Sequence, residues 1–504
     1  MLKILLTTIN AKYTHASLGL RYLYANLNEL QKVSEIIEFI PTQNINEMAE
    51  KLLSRKPKII GIGVYIWNAY ATGQLVNLIK KISPDVMIVL GGPEVSHLPL
   101  RVDFSCADYF IQGEGDIEFY NLCKKLLDEN NPSQKFIRTE PVNIDRIDLP
   151  YEYYCEEDIK NRVIYVEASR GCPFSCEFCL SSIDRSVRYF DSDLIISELE
   201  KLWERGVRKF KFVDRTFNLN IDSIITIFDF FLGKAPPYLA HFEVIPDNFS
   251  NSLKEIIKEF PPASLQLEIG IQTLNPGIAD NISRKIDVEK ILDNIRFLAN
   301  ETSAHLHLDL IVGLPGESIE SFGNNLNTLV KLTDAEIQIG ILKKLSGTTI
   351  NRHDEKYKMI YSDLPPYEII MNNLVSFEMM QKMKRFARFW DLIYNSGNFR
   401  SSAQVIWKTK DVFGGFYDFS EWLYSKTGST WQISLNRLAE LLFIYLTEVI
   451  KLSKEKVAET IGADLLRFPG RKLPSFIKDY ANSRFKAESN EMEKMNKRQI
   501  KRLK

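Results

Sequence analysis

The sequence has few of the side chains that bind metals or form disulfides, with six cysteines and six histidines in 504 residues. So few cysteines exclude a disulfide-stabilised scaffold. A formal net charge of −1 excludes recognition of a polyanion through bulk charge. No stretch approaches the roughly 18 apolar residues of a membrane span, and the apolar segment at the N-terminus is too short for a signal peptide. We therefore expect a cytoplasmic globular protein.

Three of the cysteines lie close together, at Cys172, Cys176 and Cys179, directly after an apolar run at residues 163–166. Thiolates clustered in a reducing compartment usually hold a metal. A structural zinc site needs four ligands, and no fourth cysteine or nearby histidine completes this set. A cubane iron–sulfur cluster normally takes four thiolates, so three would leave one iron open. Three unconnected thiols, or a zinc site completed from elsewhere in the chain, are the alternatives.

In residues 1–130, short β-rich runs alternate with segments of helical period. Near-continuous apolar strands separated by helices indicate a parallel sheet covered on both faces, which is a doubly wound, Rossmann-like fold. Ligands of this fold bind beyond the C-terminal ends of the strands. This chain has Gly91-Gly92 and Gly113-Glu114-Gly115 at two of those ends. The predicted strands are residues 3–9, 35–40, 59–65, 87–90 and 109–112.

Residues 162–352 contain six further strand candidates, and a helical pattern follows each of them except the last. This repeat predicts a partial (β/α)6 barrel, whose chemistry sits at the C-terminal ends of the strands. The predicted strands are residues 163–167, 209–213, 240–245, 265–271, 305–312 and 337–342.

Period-2 alternation places the polar side chains of these strands on one face. Because the outer face of a barrel must pack on its helices, we predict that the polar row, which includes Glu268, His305 and Asp309, faces a cavity. A self-satisfied internal network without a substrate role is the alternative. The side chains predicted to line a substrate cavity are His241, Glu243, Gln266, His307 and Lys344.

Two further segments complete the predicted organisation. Residues 131–161 are polar and rich in proline, and they indicate a linker. Residues 353–504 have helical periodicity and many aromatics, which predicts a mainly helical domain with an aromatic core rather than a surface that closes over the barrel. The final residues, 494–504, are basic, but one short tail is weak support for RNA binding.

The cysteine motif, including the aromatic Phe178 before the last cysteine, resembles that of the radical S-adenosylmethionine (SAM) superfamily. In that family three cysteines hold a 4Fe–4S cluster whose open iron chelates SAM, and an electron from the cluster cleaves SAM to a 5′-deoxyadenosyl radical. The resemblance implies that Cys172, Cys176 and Cys179 are the cluster ligands. Three strand ends, at residues 213–218, 268–273 and 309–317, are similar to the segments that surround SAM. The residues implied for SAM binding are Phe178, Asp214, Glu268, Gln272, Asp309, Gly313, Leu314 and Pro315.

The first domain resembles the cobalamin-binding domain that precedes many radical SAM cores. Many such domains carry D-x-H-x-x-G, with the histidine bound to cobalt, but Tyr13 stands here for the aspartate and Gly19 comes one residue late. A metal-bound histidine usually needs a carboxylate partner, so we expect cobalt without a histidine ligand. A domain that binds no cofactor is the alternative. The residues implied for cobalamin binding are Asn10, Tyr13, His15, Tyr65, Trp67, Asn68, Gly91, Gly92, Gly113 and Glu114.

Taken as a whole, the chain resembles a bacterial subgroup of cobalamin-binding radical SAM proteins with a C-terminal extension. The resemblance implies methylation of an unactivated carbon of a small-molecule or peptide substrate, with an external electron donor of the flavodoxin or ferredoxin type. It implies neither a membrane nor a nucleic-acid partner. The alternatives are a cobalamin-dependent cyclase or rearrangement enzyme, and a regulator that responds to cobalamin or redox state.

Overall fold

The computed structural model describes residues 2–478 and residue 480, and the chain forms two compact units. The first unit comprises the chain up to Glu243 together with Lys343–Arg352 and Tyr361–Glu368. The second comprises Val244–Leu342, His353–Ile360 and the chain from Ile369 onward. The predicted domains, 1–130, 131–161, 162–352 and 353–504, differ from these units in their boundaries and stay predictions. Among the described residues, no helix combines the length and apolarity that a membrane crossing requires.

A six-stranded parallel sheet in the order β2-β1-β3-β4-β5-β6 begins the first unit. Two separate clusters of buried apolar side chains are formed by alternate residues of its strands, so both faces are covered. The sheet is doubly wound, as the sequence predicts. Its strands are β1 (Ile4–Ile9), β2 (Ser34–Phe39), β3 (Ile59–Gly63), β4 (Met87–Gly91), β5 (Tyr109–Gln112) and β6 (Phe136–Arg138), and its helices are α1 (Leu18–Ala25), α2 (Ile45–Leu53), α3 (Ala69–Ile82) and α4 (Glu118–Leu127).

The predicted linker, residues 131–161, contains ordered structure that its composition does not indicate. Strand β6 pairs with β5 and extends the sheet by one strand. Helix α5 (Glu156–Asn161) ends the segment, and the rings of Tyr151 and Tyr154 are fully buried. Polar residues and prolines flank each of these short elements, so their apolar contacts are too few to stand out as a pattern.

The remaining strands of the first unit carry the cysteines. Strands β7, β10 and β11 pair in parallel in that order. The chain leaves β7 into a two-residue antiparallel hairpin, β8 with β9, and all three cysteines lie in the loop of that hairpin. The elements are β7 (Ile164–Val166), β8 (Ser169–Arg170), β9 (Arg188–Tyr189), β10 (Lys209–Phe212) and β11 (Leu239–Val244), with helices α6 (Ser192–Glu204) and α7 (Ile221–Leu232).

Three parallel strands, β12, β13 and β14, form the sheet of the second unit. Along β13 buried and partly exposed residues alternate strictly, with Leu306, Leu308 and Leu310 on the buried side. This confirms the predicted period-2 pattern of that strand. The elements are β12 (Leu265–Gln272), β13 (His305–Val312) and β14 (Glu336–Ile341), with helices α8 (Asn251–Lys258), α9 (Pro276–Asn281), α10 (Val288–Glu301) and α11 (Ile319–Leu332).

The C-terminal part of the second unit is mainly helical and has an aromatic core, as predicted. Trp390 and Phe416 are fully buried, and their ring centroids lie 4.9 Å apart in an edge-to-face arrangement. The first long helix of this part begins at Phe377, after a short strand at Ile369–Met371. The elements are α12 (Asp354–Tyr357), β15 (Ile360–Tyr361), β16 (Ile369–Met371), α13 (Phe377–Trp390), α14 (Arg400–Val405), α15 (Val412–Thr427), α16 (Leu435–Ile444), α17 (Lys454–Leu466) and α18 (Ser475–Lys478), and π-helical turns at Asp391–Asn395 and Tyr445–Val449 follow α13 and α16. The basic residues 494–504 lie outside the described part of the chain.

Candidate functional site

The hairpin loop brings the three cysteines into one neighbourhood. Cys172 and Cys176 are buried, and Cys179 is partly exposed. The backbone holds them there, since Cys172 N–H donates to the Asp184 carbonyl at 3.1 Å and Cys179 N–H donates to the Cys176 carbonyl at 3.1 Å. Burial raises the pKa of the Cys172 thiol, and the nearby thiols of Cys179 and Cys176 raise it further, whereas a backbone hydrogen bond at Phe174 lowers it. Three thiols in one loop, two of them near enough to Cys172 to affect its titration, are the donor set that an open iron–sulfur cluster needs.

Asp214, which the family resemblance implies for SAM binding, lies at the end of β10 and is buried. Ser169 Oγ–H donates to its carboxylate at 2.6 Å, and Ala168 N–H donates at 3.0 Å. Burial raises the pKa of Asp214 to about 7, although those two hydrogen bonds act in the opposite direction. The side chain therefore fixes the backbone that enters the cysteine loop.

A cavity of about 290 Å³ opens at the C-terminal ends of β3, β4 and β5, where a doubly wound fold binds its ligands. Glycines form much of its wall. At Gly92, whose φ is +104°, an added Cβ would stand 2.6 Å from the Val64 carbonyl oxygen, so the backbone tolerates no side chain there. Five of the ten residues implied for cobalamin line this cavity: Tyr65, Gly91, Gly92, Gly113 and Glu114.

A second, larger cavity of about 690 Å³ adjoins the first. Both are lined by Gly92, Gly113 and Glu114, so they meet at the same two strand ends. The larger cavity is also lined by Leu180 and Ile183 of the cysteine loop. The first unit therefore has two neighbouring cavities that share wall residues at the ends of β4 and β5, and the larger one is also lined by residues of the cysteine loop. Space of this kind, walled partly by glycines, suits a large cofactor such as cobalamin.

The other five residues implied for cobalamin line neither cavity and are engaged within the protein. Asn68 is buried, and its side-chain amide donates to the carbonyls of Ile9 and Gly63. Trp67 donates to the Ile9 carbonyl at 3.0 Å and stacks on Tyr65 with ring centroids 4.6 Å apart. Asn10 donates to Glu38, Tyr13 donates to Glu157, and the His15 ring is hydrogen-bonded to the Tyr165 hydroxyl.

In the second unit, three side chains of the predicted polar row converge. One ligand-type atom from each of Glu268, His307 and Asp309 lies within 4.8 Å of those of the other two. Register explains this convergence, because Glu268 faces His307 across the β12–β13 pair and Gly270, which has no side chain, faces Asp309. His305 is set apart, with its Nε2 3.0 Å from Glu336 Oε1.

The loop after β13 contains the residues implied for the adenine of SAM. Gly313 has a φ of +92°, and an added Cβ would lie 2.8 Å from Ile369. Leu314 is fully buried and Pro315 is buried. Gln272 ends β12 with a φ of +67°, next to a bulge at Gly270. These departures from regular backbone give the loop a fixed shape.

Glu317, at the end of that loop, is a buried carboxyl group that the sequence analysis did not select. Its Oε1 accepts hydrogen bonds from Thr273 Oγ1 at 2.8 Å, Asn325 Nδ2 at 2.9 Å and Ser321 Oγ at 3.3 Å. Its Oε2 has no hydrogen-bond partner among the described residues. Burial raises the pKa of Glu317 to about 7, against the lowering effect of the three hydrogen bonds.

Family models match three consecutive parts of this chain. The model described as "B12 binding domain" matches residues 4–122, and "Radical SAM superfamily" matches residues 166–329. The chain therefore contains a B12-binding domain followed by a radical SAM domain. The model described as "Protein of unknown function (DUF4080)" matches residues 355–504.

Named relatives agree with this assignment. The chain is 26% identical over 366 residues to an uncharacterised methyltransferase of Pyrococcus horikoshii, a match that covers 67% of this chain and 78% of the relative. It is 24% identical over 339 residues to the cobalamin-dependent radical SAM methyltransferase TokK of Streptomyces tokunonensis, which covers 59% of this chain and 49% of TokK. The match therefore spans about half the length of TokK.

Among solved structures, the cobalamin-dependent radical SAM enzyme OxsB with aqua-cobalamin bound matches with a TM-score of 0.63 and 15% identity. That match covers 92% of this chain and 80% of OxsB. Together the matches confirm the predicted family, the predicted fold class, the assignment as an enzyme of the radical SAM type, and the cofactor set of 4Fe–4S cluster, SAM and cobalamin. An enzyme of this type needs an external reductant and a small-molecule substrate.

The remaining predicted residues of this radical SAM protein are scattered. Glu243 forms an ion pair with Arg215 at 3.0 Å, and the Lys344 ammonium lies 5.3 Å from the centre of the Tyr361 ring. Gln266 is buried in the sheet, whereas His241 and Phe178 are partly exposed. Their roles stay predictions.

Glu167 and Arg170 both line the smaller cavity, but they are not among the site residues predicted from the sequence. Arg170 belongs to the cysteine motif itself, directly before Gly171, and that position was the available signal.

We expect alanine at Cys172, Cys176 or Cys179 to remove the cluster, because two thiolates cannot hold it at this site. The visible absorption and the iron content of anaerobically reconstituted protein measure the loss. Alanine at the exposed Cys106 is the matched control and should leave both unchanged. A triple alanine variant with wild-type iron content would refute the assignment.

We expect Glu317→Gln to change how stability depends on pH. The folded pKa of about 7 lies above the ordinary glutamate value of 4.5, so the folded state favours the protonated acid. That contribution is complete below pH 4.5 and is lost as the pH rises through 7. Wild type should lose up to about 3 kcal/mol relative to the variant between pH 4.5 and pH 8, as measured by urea unfolding. The exposed Glu320→Gln serves as control, and parallel stability curves for wild type and Glu317→Gln would contradict the expectation.

Proposed function

We propose that this protein is a cobalamin-dependent radical SAM methyltransferase that acts on an unactivated carbon. The observation that carries the proposal is the pair of neighbouring cavities in the first unit, which share glycines of the doubly wound sheet and of which the larger is also lined by residues of the three-cysteine loop. The names of the relatives support methyl transfer as the reaction.

Each cofactor has candidate residues in this chain. Cys172, Cys176 and Cys179 would hold the cluster. Tyr65, Gly91, Gly92, Gly113 and Glu114 would contact cobalamin, and Gly313, Leu314, Pro315 and Gln272 would contact SAM, as the family resemblance implies. When bound, the cluster and SAM supply a radical that removes a hydrogen atom from the substrate, and cobalamin supplies the methyl group.

The protein's own contribution is binding, orientation and control of protons. Asp214 holds the entry to the cysteine loop through Ser169 and Ala168. Glu268, His307 and Asp309 form a polar row that is suited to hydrogen-bond a substrate or SAM, with His307 Nδ1 3.9 Å from Asp309 Oδ1. His305 lies deeper along β13, and its bond to Glu336 gives it a structural role.

His15 supports cobalt without a histidine ligand. Its Nδ1 is hydrogen-bonded to the Tyr165 hydroxyl, the two rings are stacked, and its backbone forms a bridge with Val163. The ring also lines neither of the two cavities, so it lies outside the space assigned to cobalamin. Tyr65 and its stacked neighbour Trp67 are the candidates for the lower face of the corrin.

The reductant is proposed to be a flavodoxin or a ferredoxin, and the substrate a small molecule or a peptide rather than a nucleic acid. A cytoplasmic site of action stays a prediction that rests on the three reduced thiolates.

The decisive experiment is anaerobic reconstitution with iron, sulfide, SAM, hydroxocobalamin and dithionite, followed by mass spectrometry of the products. We expect 5′-deoxyadenosine together with S-adenosylhomocysteine, because methylation consumes SAM both as the radical source and as the methyl donor. 5′-deoxyadenosine without S-adenosylhomocysteine would favour cyclisation or rearrangement. The absence of both products would refute the proposed enzymatic activity.

We expect different effects from replacing Asp309 and His305, which lie on the same face of β13. Asp309→Ala should slow SAM cleavage at least about tenfold while cluster content survives, because Asp309 lies nearest the Gly313 loop along β13. His305→Ala should mainly lower the melting temperature, since it leaves Glu336 without its histidine partner. The measurements are the rate of 5′-deoxyadenosine formation and thermal unfolding. The reverse pattern would refute the assigned order along the strand.

A further inference from the structure

Two arginines lie at the two ends of the cysteine loop, where the hairpin strands pair. Arg170 and Arg188 are direct partners across the β8–β9 hairpin, and every residue of the loop, including the three cysteines, lies between them. Both guanidinium groups extend to the same segment of the doubly wound sheet, residues 113–116. We call these contacts the arginine clamp: Arg170 with Asp116, and Arg188 with Glu114.

The Arg170–Asp116 contact is bidentate. Arg170 Nη1 donates to Asp116 Oδ2 at 3.0 Å, and Nη2 donates to Oδ1 at 3.1 Å. The two side chains are only 11% and 7% exposed. Arg170 Nε also donates to Glu167 at 2.9 Å, so the guanidinium is held on two sides. A buried fork of this kind fixes both distance and orientation.

The second contact extends the clamp into the cysteine loop. Arg188 donates to both oxygens of Glu114, at 2.6 and 3.0 Å, and to Asp184 Oδ2 at 2.8 Å. Asp184 in turn accepts the backbone N–H of Cys172 through its carbonyl. Burial would raise the pKa of Glu114, but hydrogen bonds from Arg188 and Val142 and the charge of Arg170 lower it, so Glu114 carries the charge the clamp needs.

Residues 113–116, which the arginine clamp contacts, also form part of the wall of the smaller cavity, the proposed cobalamin site. Gly113, Glu114, Gly115 and Asp116 line the smaller cavity, and Arg170 lines it with them. A ligand that fills this cavity therefore orders residues 113–116, to which Arg170 and Arg188 at the ends of the cysteine loop are bound. Arg170 is two residues before Cys172, and Gly171 between them leaves no room for adjustment, since an added Cβ would lie 2.0 Å from the Ser186 carbonyl oxygen.

We propose that Arg170 and Arg188 are positioning residues that couple cobalamin binding to the geometry of the cluster loop. The inference rests on the proposed function, because it needs both cofactors. Coupling of this kind is reciprocal: if cobalamin stabilises the cluster-bound loop, the cluster strengthens cobalamin binding by the same factor.

The test is a titration of the full chain with hydroxocobalamin under anaerobic conditions, with and without the reconstituted cluster. For wild type we expect a dissociation constant at least about fivefold lower with the cluster, a common size for coupled sites. In Asp116→Asn, which loses the carboxylate charge, and in Arg170→Lys, which keeps the charge but loses the fork, the ratio should approach one.

The matched control is Asp108→Asn, which breaks the Lys80–Asp108 ion pair of the same sheet. That pair has the same 3.0 Å separation as Arg170 and Asp116 and is also largely buried, with exposed fractions of 17% and 25% against 11% and 7%. This control should keep the wild-type ratio. Hydrogen exchange adds a readout that activity does not give: hydroxocobalamin should slow exchange of residues 171–187 in wild type but not in either clamp variant.

Failure of the clamp and failure of the proposed function give different results. Wild type that binds hydroxocobalamin equally well with and without the cluster overturns the clamp alone. So does an Asp116→Asn or Arg170→Lys protein that keeps the wild-type ratio. Wild type that binds no hydroxocobalamin in either state overturns the proposed function as well. If one clamp variant fails to fold, the other still decides the outcome.

Discussion

Gly171 has no space for a side chain, and the geometry of the cysteine loop depends on that constraint. Its φ of +93° turns the chain directly after β8, and the Ser186 carbonyl occupies the place where a Cβ would stand. The two ends of the loop can therefore approach closely enough to pair as β8 and β9. In the closed loop, the Asp184 carbonyl accepts the Cys172 N–H. The thiols of Cys176 and Cys179 then lie near enough to Cys172 to affect its pKa.

In each of the two units, buried polar side chains hold backbone segments in place. Asp214 binds the strand that leads into the loop, Asn68 binds the loops after β1 and β3, and Glu317 joins the end of β12 to the loop after β13. Each of these side chains would cost free energy if it were buried without partners. Their partners are mostly backbone groups or short hydroxyl and amide side chains, and the loops they hold are the ones that follow parallel strands.

The sequence predicts the larger features of this protein because they rest on repeated patterns. Apolar strands with helices between them indicate the doubly wound sheet, and the alternation in β13 agrees with the observed burial of Leu306, Leu308 and Leu310. The cysteine spacing indicates an open cluster by counting ligands alone. Glycines at strand ends point to the cavity wall, and Gly91, Gly92 and Gly113 do line it.

Individual side chains were harder to predict, because a position in a loop does not say which way a side chain points. Asn68 and Glu114 both follow strands of one sheet, yet Asn68 turns inward to backbone carbonyls while Glu114 lines the cavity. Arg170 and Glu317 form contacts across long sequence separations, with Asp116 and Thr273, that no local pattern reveals. Strand β6 was overlooked for a similar reason, since its three residues gain order only by pairing with β5.

That short strand also affects how this protein meets other protein chains. β6 forms one edge of the first sheet, and an edge strand offers unpaired backbone groups to which a foreign strand can add. At three residues, with Arg138 exposed at its end, β6 offers a much poorer template than β5, whose first three residues are buried and aromatic or aliphatic. The segment between the sheet and the cysteines thus shields the sheet from edge-to-edge aggregation.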